Sequence, residues 1–187
     1  ANEIMEEYPE MKIIVIDTLS ASLGEGIMIK KAAHMKAEGR SIEEAAAWVR
    51  ENSPHLNVQF TVDDLNFLYR GGRLSRSSAI LGTVINIKPI LYVDREGKLV
   101  ALDKVRGRKK ALTTLVNNME QRLGAYREKQ VFIGIVHGDC ETDAKFVADM
   151  ITERFGYTDI VIRPIGPSIG AHSGPGAIGL IFLGDEK

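Results

Sequence analysis

The residue types best suited to holding an anion sit in one stretch near the end of the chain. Residues 165–183 read IGPSIGAHSGPGAIGLIFL, with Gly170, Gly174, Gly176 and Gly179 surrounding His172 and Pro175. Glycine tolerates φ > 0 and close backbone approach, so this segment can bend sharply and turn its amides toward a ligand. Exposed N–H groups of that kind form anion-binding concavities, and His172 adds an ionisable donor. A plain strand entry that needs glycine only for its turn accounts for the same residues, so both readings stand at this point. Arg73, after Gly71 and Gly72 and before an N-capping Ser75, is placed to point inward, and its guanidinium matches carboxylate or phosphate with two parallel bonds. Ser20 and Ser22 follow the apolar run KIIVID. Ligands of open α/β sheets gather beyond the carboxyl ends of strands, often at a helix N-terminus, which makes both serines candidates for a polar head group. N-capping alone is the alternative for each.

Other chemistry is thinner. The four histidines, His34, His55, His137 and His172, have no Cys, Asp or Glu partners at metal-ligand spacing, so no metal site is expected. Cys140 lies between Asp139 and Glu141, and adjacent acids disfavour a thiolate nucleophile. There is no Walker-type loop and no GxGxxG opening a helix. Basic residues cluster at Arg70, Arg73 and Arg76, then at Lys104, Arg106, Arg108, Lys109 and Lys110. Of these, Arg76, Arg108 and Lys109 read as solvated helix ends, and one RGG is weak evidence for RNA.

The bulk properties set the frame for these candidates. The chain has 187 residues, 44% of them hydrophobic, enough for one ordinary core or one and a half small domains. A net charge of −1 gives no general attraction to nucleic acid or anionic membrane. No apolar run reaches the ~20 residues of a membrane span, and no stable membrane insertion is expected. A single cysteine excludes an internal disulfide and fits the reducing cytoplasm. The first residues lack a signal-peptide pattern and read as the tail of a helix feeding a strand.

The elements that must position the candidates follow from periodicity and punctuation. Residues 12–17 read as a short buried strand of a parallel sheet. Helices are expected over residues 24–38 and from Ser41 to about Glu51, the second opened by a capping box of Ser41 and Glu44. Ser53-Pro54 marks a boundary. Beyond it come a strand at 57–61, a short helix at 63–69 and a helix at 75–86 with Ile80, Leu81, Val84 and Ile85 on one face. Residues 87–93 and 98–105 frame a hairpin, and Pro89 argues for a strand at an edge or entering late. A helix to about Arg127, a strand at 131–137, a helix at 142–155 and a strand at 159–163 complete the pattern, followed by the glycine loop and a strand over 177–183. The class is α/β (α+β), helices packed on sheets, with two domains expected: residues 1–54 and residues 55–187.

Four segments add a family resemblance. VDDLNFLYRGGRLS, NIKPIL, KVRGRKKAL and IGAHSGPGAIGL occur in this order and resemble the landmarks of DegV-family proteins; with IDTLSASLGEG they extend over nearly the whole chain. The resemblance implies a two-domain fold that buries a long-chain fatty acid in a tunnel between the domains, with no catalytic residue, metal or cofactor. It implies that the protein is the acyl carrier of a bacterial fatty acid kinase, presenting the carboxylate to a separate ATP-binding kinase subunit for conversion to acyl phosphate, toward phospholipid synthesis. By the same resemblance His172 hydrogen-bonds the carboxylate, with Arg73, Ser173 and Gly174 beside it. Arg106 lies near the head group or the kinase-facing surface, and Ala21 is a small residue at the acyl tunnel. Ile80, Leu81, Val84 and Ile85 are candidates for the tunnel wall, with plain core packing the alternative for each. The family's amino-terminal part, which carries further Ser/Thr segments, is missing from these residues, so they are expected to be the carboxy-terminal two-thirds of a longer protein.

Two other classes compete. One is an enzyme acting on a small carboxylated or phosphorylated metabolite with His172 as general acid/base, although the sequence offers it no second catalytic group. The other is a basic-patch module that binds RNA or a protein.

Overall fold

The computed structural model describes residues 1–74 and 86–185. Six strands form one mixed sheet: β1 (Leu56–Thr61), β2 (Ile87–Val93), β3 (Leu99–Arg106), β4 (Ile133–His137), β5 (Ile160–Pro164) and β6 (Ile178–Leu183), in the order β3-β2-β1-β6-β4-β5. Only β4 and β5 run parallel, joined through helix α6 (Glu141–Phe155). The other neighbours are antiparallel. The remaining helices are α1 (Asn2–Glu7), α2 (Leu23–Ala37), α3 (Ile42–Asn52), α4 (Leu65–Arg70), α5 (Arg108–Arg122) and α7 (Pro167–Ser173). No described helix is long and apolar enough to cross a membrane.

Side-chain alternation divides the sheet into two faces. Ile133 and Ile135 of β4, with Ile178, Leu180 and Phe182 of β6, meet Leu112, Leu115, Val116 and Met119 of α5 and Val147 and Ile151 of α6 in a closed core. The opposite face carries Val136, Ile181 and Leu183, covered in part by Ile27, Met28 and Val49 of α2 and α3. The capping box expected for α3 is present: Ser41 Oγ accepts from Glu44 N at 3.1 Å, and Glu44 Oε2 accepts from Ser41 N at 2.9 Å.

Several expectations change. Residues 12–17 form no strand: none of the described strands lies alongside to complete a ladder, and Val15 is 73% exposed. The expected glycine loop contains a helix, α7, because Pro167 stands at its first turn, where a missing N–H costs nothing. The helix expected to reach Arg127 stops at Arg122, and a 3-10 turn follows at Gly124–Tyr126, with Gly124 at φ 42°. Strand β2 is interior rather than at an edge, but β1 pairs only with Leu91 and Tyr92, so Pro89 lies beyond that ladder. The helix expected over 75–86, and with it the apolar face of Ile80, Leu81, Val84 and Ile85, falls outside the described residues except for Asn86.

Candidate functional site

The open part of the second face holds a cavity of about 400 Å³, within the size range of small-molecule sites. Val58 and Phe60 of β1, Val136 of β4 and Ile181 of β6 form its apolar floor. The β2–β3 hairpin contributes Val93, Gly97 and Leu99. Asp94 Oδ1 holds the hairpin tip by accepting from Glu96 N and Lys98 N, both at 2.9 Å. Residues 20–22, ahead of α2, and Ile169 of α7 close the space from other sides.

The polar groups meet around one glycine. A Cβ at Gly71 would lie 2.1 Å from His172 Nδ1, so the imidazole rests directly on the turn that ends α4. Arg73 folds back on the same residue, with Nη1 donating to Gly71 O at 2.7 Å. Among the described residues neither ring nitrogen of His172 has a hydrogen-bond partner. Ser20 Oγ and Ser173 Oγ, both of residues lining the cavity, are buried with no partner among the described residues. A buried hydroxyl left unpaired costs roughly 1–3 kcal/mol, which a ligand oxygen within reach would relieve. The lining is therefore mostly apolar, with the imidazole, the guanidinium and the hydroxyls of Ser20, Ser22, Ser168 and Ser173 as its polar side chains.

The structure brings Ala21, Arg73, His172 and Ser173 to this cavity, with Ser20 and Ser22. Gly174 lies just outside it; its N–H donates to Gly170 O at 2.8 Å. With φ 74° and the Phe67 ring only 2.5 Å from where a Cβ would lie, it brings α7 against α4. Arg106 ends β3 opposite Ile87 and is exposed, outside the lining.

Arg108 departs from its expected role as a solvated helix end. It is paired with Asp143 at 2.8 Å and Asp63 at 3.4 Å, and Asp63 also pairs with Lys88 at 2.7 Å. This network straps α5 to α6 and to the turn before α4, which explains why its guanidinium is largely covered. His137 ends β4 with Nδ1 buried and no partner among the described residues. Burial pushes the Cys140 thiol up against the pull of Arg108, and its Sγ donates to Ala177 O at 3.4 Å, so the thiol is held as a neutral packing group.

Sequence reasoning missed the floor residues Val58, Phe60, Val136 and Ile181 and the role of Gly71. The alternation LNVQFT in β1 was the available signal, but it is inverted here. Gln59 and Thr61 lie at 1% and 0% exposure on the closed face, while the apolar Val58 and Phe60 face the cavity.

Known proteins are similar to this chain in sequence and in fold. The family model described as "uncharacterised protein, DegV family" matches residues 1–185. A DegV domain-containing protein of Clostridium perfringens is 44% identical over 185 residues, 99% of this chain and 63% of the relative. The chain thus spans under two thirds of that relative's length. A DegV family protein from Eubacterium eligens loaded with heptadecanoic acid has a TM-score of 0.88 at 26% identity, covering 98% of this chain and 65% of the other. A fatty acid binding DegV family protein from Streptococcus agalactiae gives 0.81 at 28%, covering 99% and 64%. The mixed sheet with its α/β layers and the near end-to-end match agree, and the chain belongs to the DegV family.

Proposed function

We infer that this protein holds a long-chain fatty acid in the cavity on the open sheet face and presents its carboxylate to a separate ATP-binding kinase subunit. One observation carries the reading: an apolar cavity of about 400 Å³ whose polar lining includes Ser20, Ser173 and His172, without hydrogen-bond partners among the described residues, and the guanidinium of Arg73. Burying an acyl chain contributes ~0.8 kcal/mol per CH₂, so a long tail supplies most of the affinity. A bare carboxylate is costly to bury without donors; His172 and Arg73, meeting at Gly71, and the hydroxyls of Ser20 and Ser173 are donors that the described residues offer. The heptadecanoic acid of the Eubacterium eligens relative is a ligand of the same class.

The protein's part is to bind and orient, without turnover of its own. The carboxylate oxygen attacks the γ-phosphorus of ATP held by the kinase subunit, giving acyl phosphate and ADP. Exposed Arg106, outside the cavity, is available to the partner. Ala21 limits the width of the acyl channel, and the cavity lies where residues 1–54, through Ser20, Ala21 and Ser22, meet residues 55–187. Among the described residues of the lining, the competing reading of His172 as a general acid/base gains no carboxylate or second base.

Native mass spectrometry of the full-length protein purified from a bacterial host tests the inference. A bound C16–C18 acid is expected, and protein that stays free of lipid after incubation with such acids overturns it. His172→Ala is expected to weaken binding about ten- to a hundredfold, as for loss of a hydrogen bond to a charged group worth roughly 1.5–3 kcal/mol. Unchanged affinity would remove His172 from the site.

A further inference from the structure

A second groove, of about 380 Å³, lies between α2, α3 and the segment leading into β4. It borders Val131, ahead of β4, whereas the acyl cavity touches Val136 near that strand's other end. Val131 and Val136 are five positions apart along the chain, a span of at most about 17 Å at strand rise. Among the described residues the groove is lined by three basic side chains, Lys31, His34 and Lys129, and by no acid. None of the three is in an ion pair with a described residue. Lys31 Nζ stands 5.9 Å from the centre of the Trp48 ring, and Lys129 Nζ stands 5.3 Å from that of Tyr126. Both ammonium groups therefore lean on aromatic faces, which leaves their N–H donors open to a ligand.

The neutral polar groups in the groove already have internal partners. Gln130 Nε2 donates to Tyr126 O and Leu183 O at 2.8 and 2.7 Å, and its Oε1 accepts from Leu183 N at 2.9 Å. Asn52 Nδ2 donates to Trp48 O at 2.8 Å. These bonds stiffen the floor and leave the cations as the groups that select a ligand. Glu51 and Glu128 are neighbours in sequence, but neither lines the groove. Lys31 and Lys129 beside His34, in a chain of net charge −1, favour an anionic group, and Trp48 and Val131 offer an apolar surface beside it.

We propose that this groove is a second binding site, for a phosphate monoester or diester group held by Lys31, His34 and Lys129, with the attached skeleton against Trp48. The group can belong to a small phosphorylated molecule or to a phospholipid head group. Trp48 is the single tryptophan of these 187 residues and reports on the groove directly. The full-length protein is titrated at constant ionic strength with phenyl phosphate, with inorganic phosphate, and with vesicles of phosphatidylglycerol in phosphatidylcholine. A saturable change in tryptophan emission that Trp48→Phe abolishes is expected, with at least tenfold weaker binding in Lys31→Glu/Lys129→Glu. Saturation by soluble phosphates but not vesicles assigns a small molecule; saturation by vesicles alone assigns a head group. No saturation with any probe, or saturation undiminished by the double charge reversal, overturns the proposal. Lys31→Gln/Lys129→Gln serves the same purpose should the reversal disturb folding, which far-UV circular dichroism of each variant checks.

Discussion

The two faces of the sheet are built from the same strands, yet they end in opposite states. On one, Phe182, Leu180, Ile178 and Ile135 disappear under α5 and α6 with no exposed surface. On the other, α2 and α3 cover Leu183 and part of Ile181, and the remaining floor of Val58, Phe60 and Val136 opens into a cavity. Hydrophobicity does not distinguish the two faces, since β1 turns its polar Gln59 and Thr61 to the closed side. Coverage does. Two 15-residue helices lie across the closed face. On the second face the 15-residue α2 covers only part, and among the described residues the cavity is bordered by the last turns of α4 and α7, a hairpin tip and the approach to α2. Long helices fill a surface continuously. Element ends meet at corners, and there backbone turns and polar side chains such as His172 and Arg73 collect.

A pair of identical substitutions tests this contrast most severely. Phe182→Ala, in the closed core, is expected to cost about 3 to 5 kcal/mol of unfolding free energy, with fatty-acid affinity of the folded fraction unchanged. Phe60→Ala, on the cavity floor, is expected to cost only about 1–2 kcal/mol because it enlarges a space already present, and to weaken fatty-acid binding. Denaturant unfolding and lipid titration of both variants check this; equal stability losses would mean that the second face is as tightly packed as the first. Gly71→Ala comes next. The backbone there is right-handed helical, φ −76° and ψ −2°, so alanine is tolerated, but its methyl would occupy the place of the His172 imidazole. Stability is expected to change by no more than about 0.5 kcal/mol, while fatty-acid affinity falls about as far as in His172→Ala. An affinity equal to wild type would show that the imidazole need not sit against this turn.

Where the sequence was informative, local chemistry and tertiary structure agreed. The capping box of α3, the hairpin about residues 94–97 and the apolar run of β6 each carry their own signal, and each is present. His172, Arg73, Ala21 and Ser173, singled out through residue type and family resemblance, all line one cavity. Other features depend on partners distant in sequence. Nothing near residues 12–17 reveals whether a neighbouring strand will pair with them. Nothing near Gly71 announces an imidazole arriving from a hundred residues away. The glycines of residues 165–183 suggested an open loop, but Pro167, which fits a helix's first turn, outweighed them locally and made α7. Arg108 reads as a solvated cation until the fold supplies Asp143 and Asp63.

Smaller effects sharpen the comparison further. Burial holds the Cys140 thiol up, so alkylation by a neutral maleimide near pH 7 is expected to be slow in the folded protein and fast after denaturation. Reaction at the rate of a free thiol would mean that the junction of β4 and α6, on the closed side, opens readily.

The smallest expected effect concerns α3, which covers the packed part of the second face through Val49. Ser41→Ala removes the side-chain acceptor for Glu44 N and is expected to cost about 1 kcal/mol. Glu44 lies below its ordinary value near 4.5, chiefly because its carboxylate accepts from Ser41 N, with Arg40 adding to the effect. A carboxyl held low in the folded state stabilises the protein above its ordinary pKa, and that contribution fades as pH falls through the lowered folded value. Glu44→Gln is therefore expected to be less stable than wild type near pH 7, with the gap closing below about pH 4. Fatty-acid affinity should be untouched by either variant, since α3 lies over the filled part of the face and contributes no residue to the cavity. Loss of lipid binding in Ser41→Ala without loss of folded protein would mean that the covered and open parts of this face are mechanically coupled, and that the cavity depends on the helix beside it for its shape.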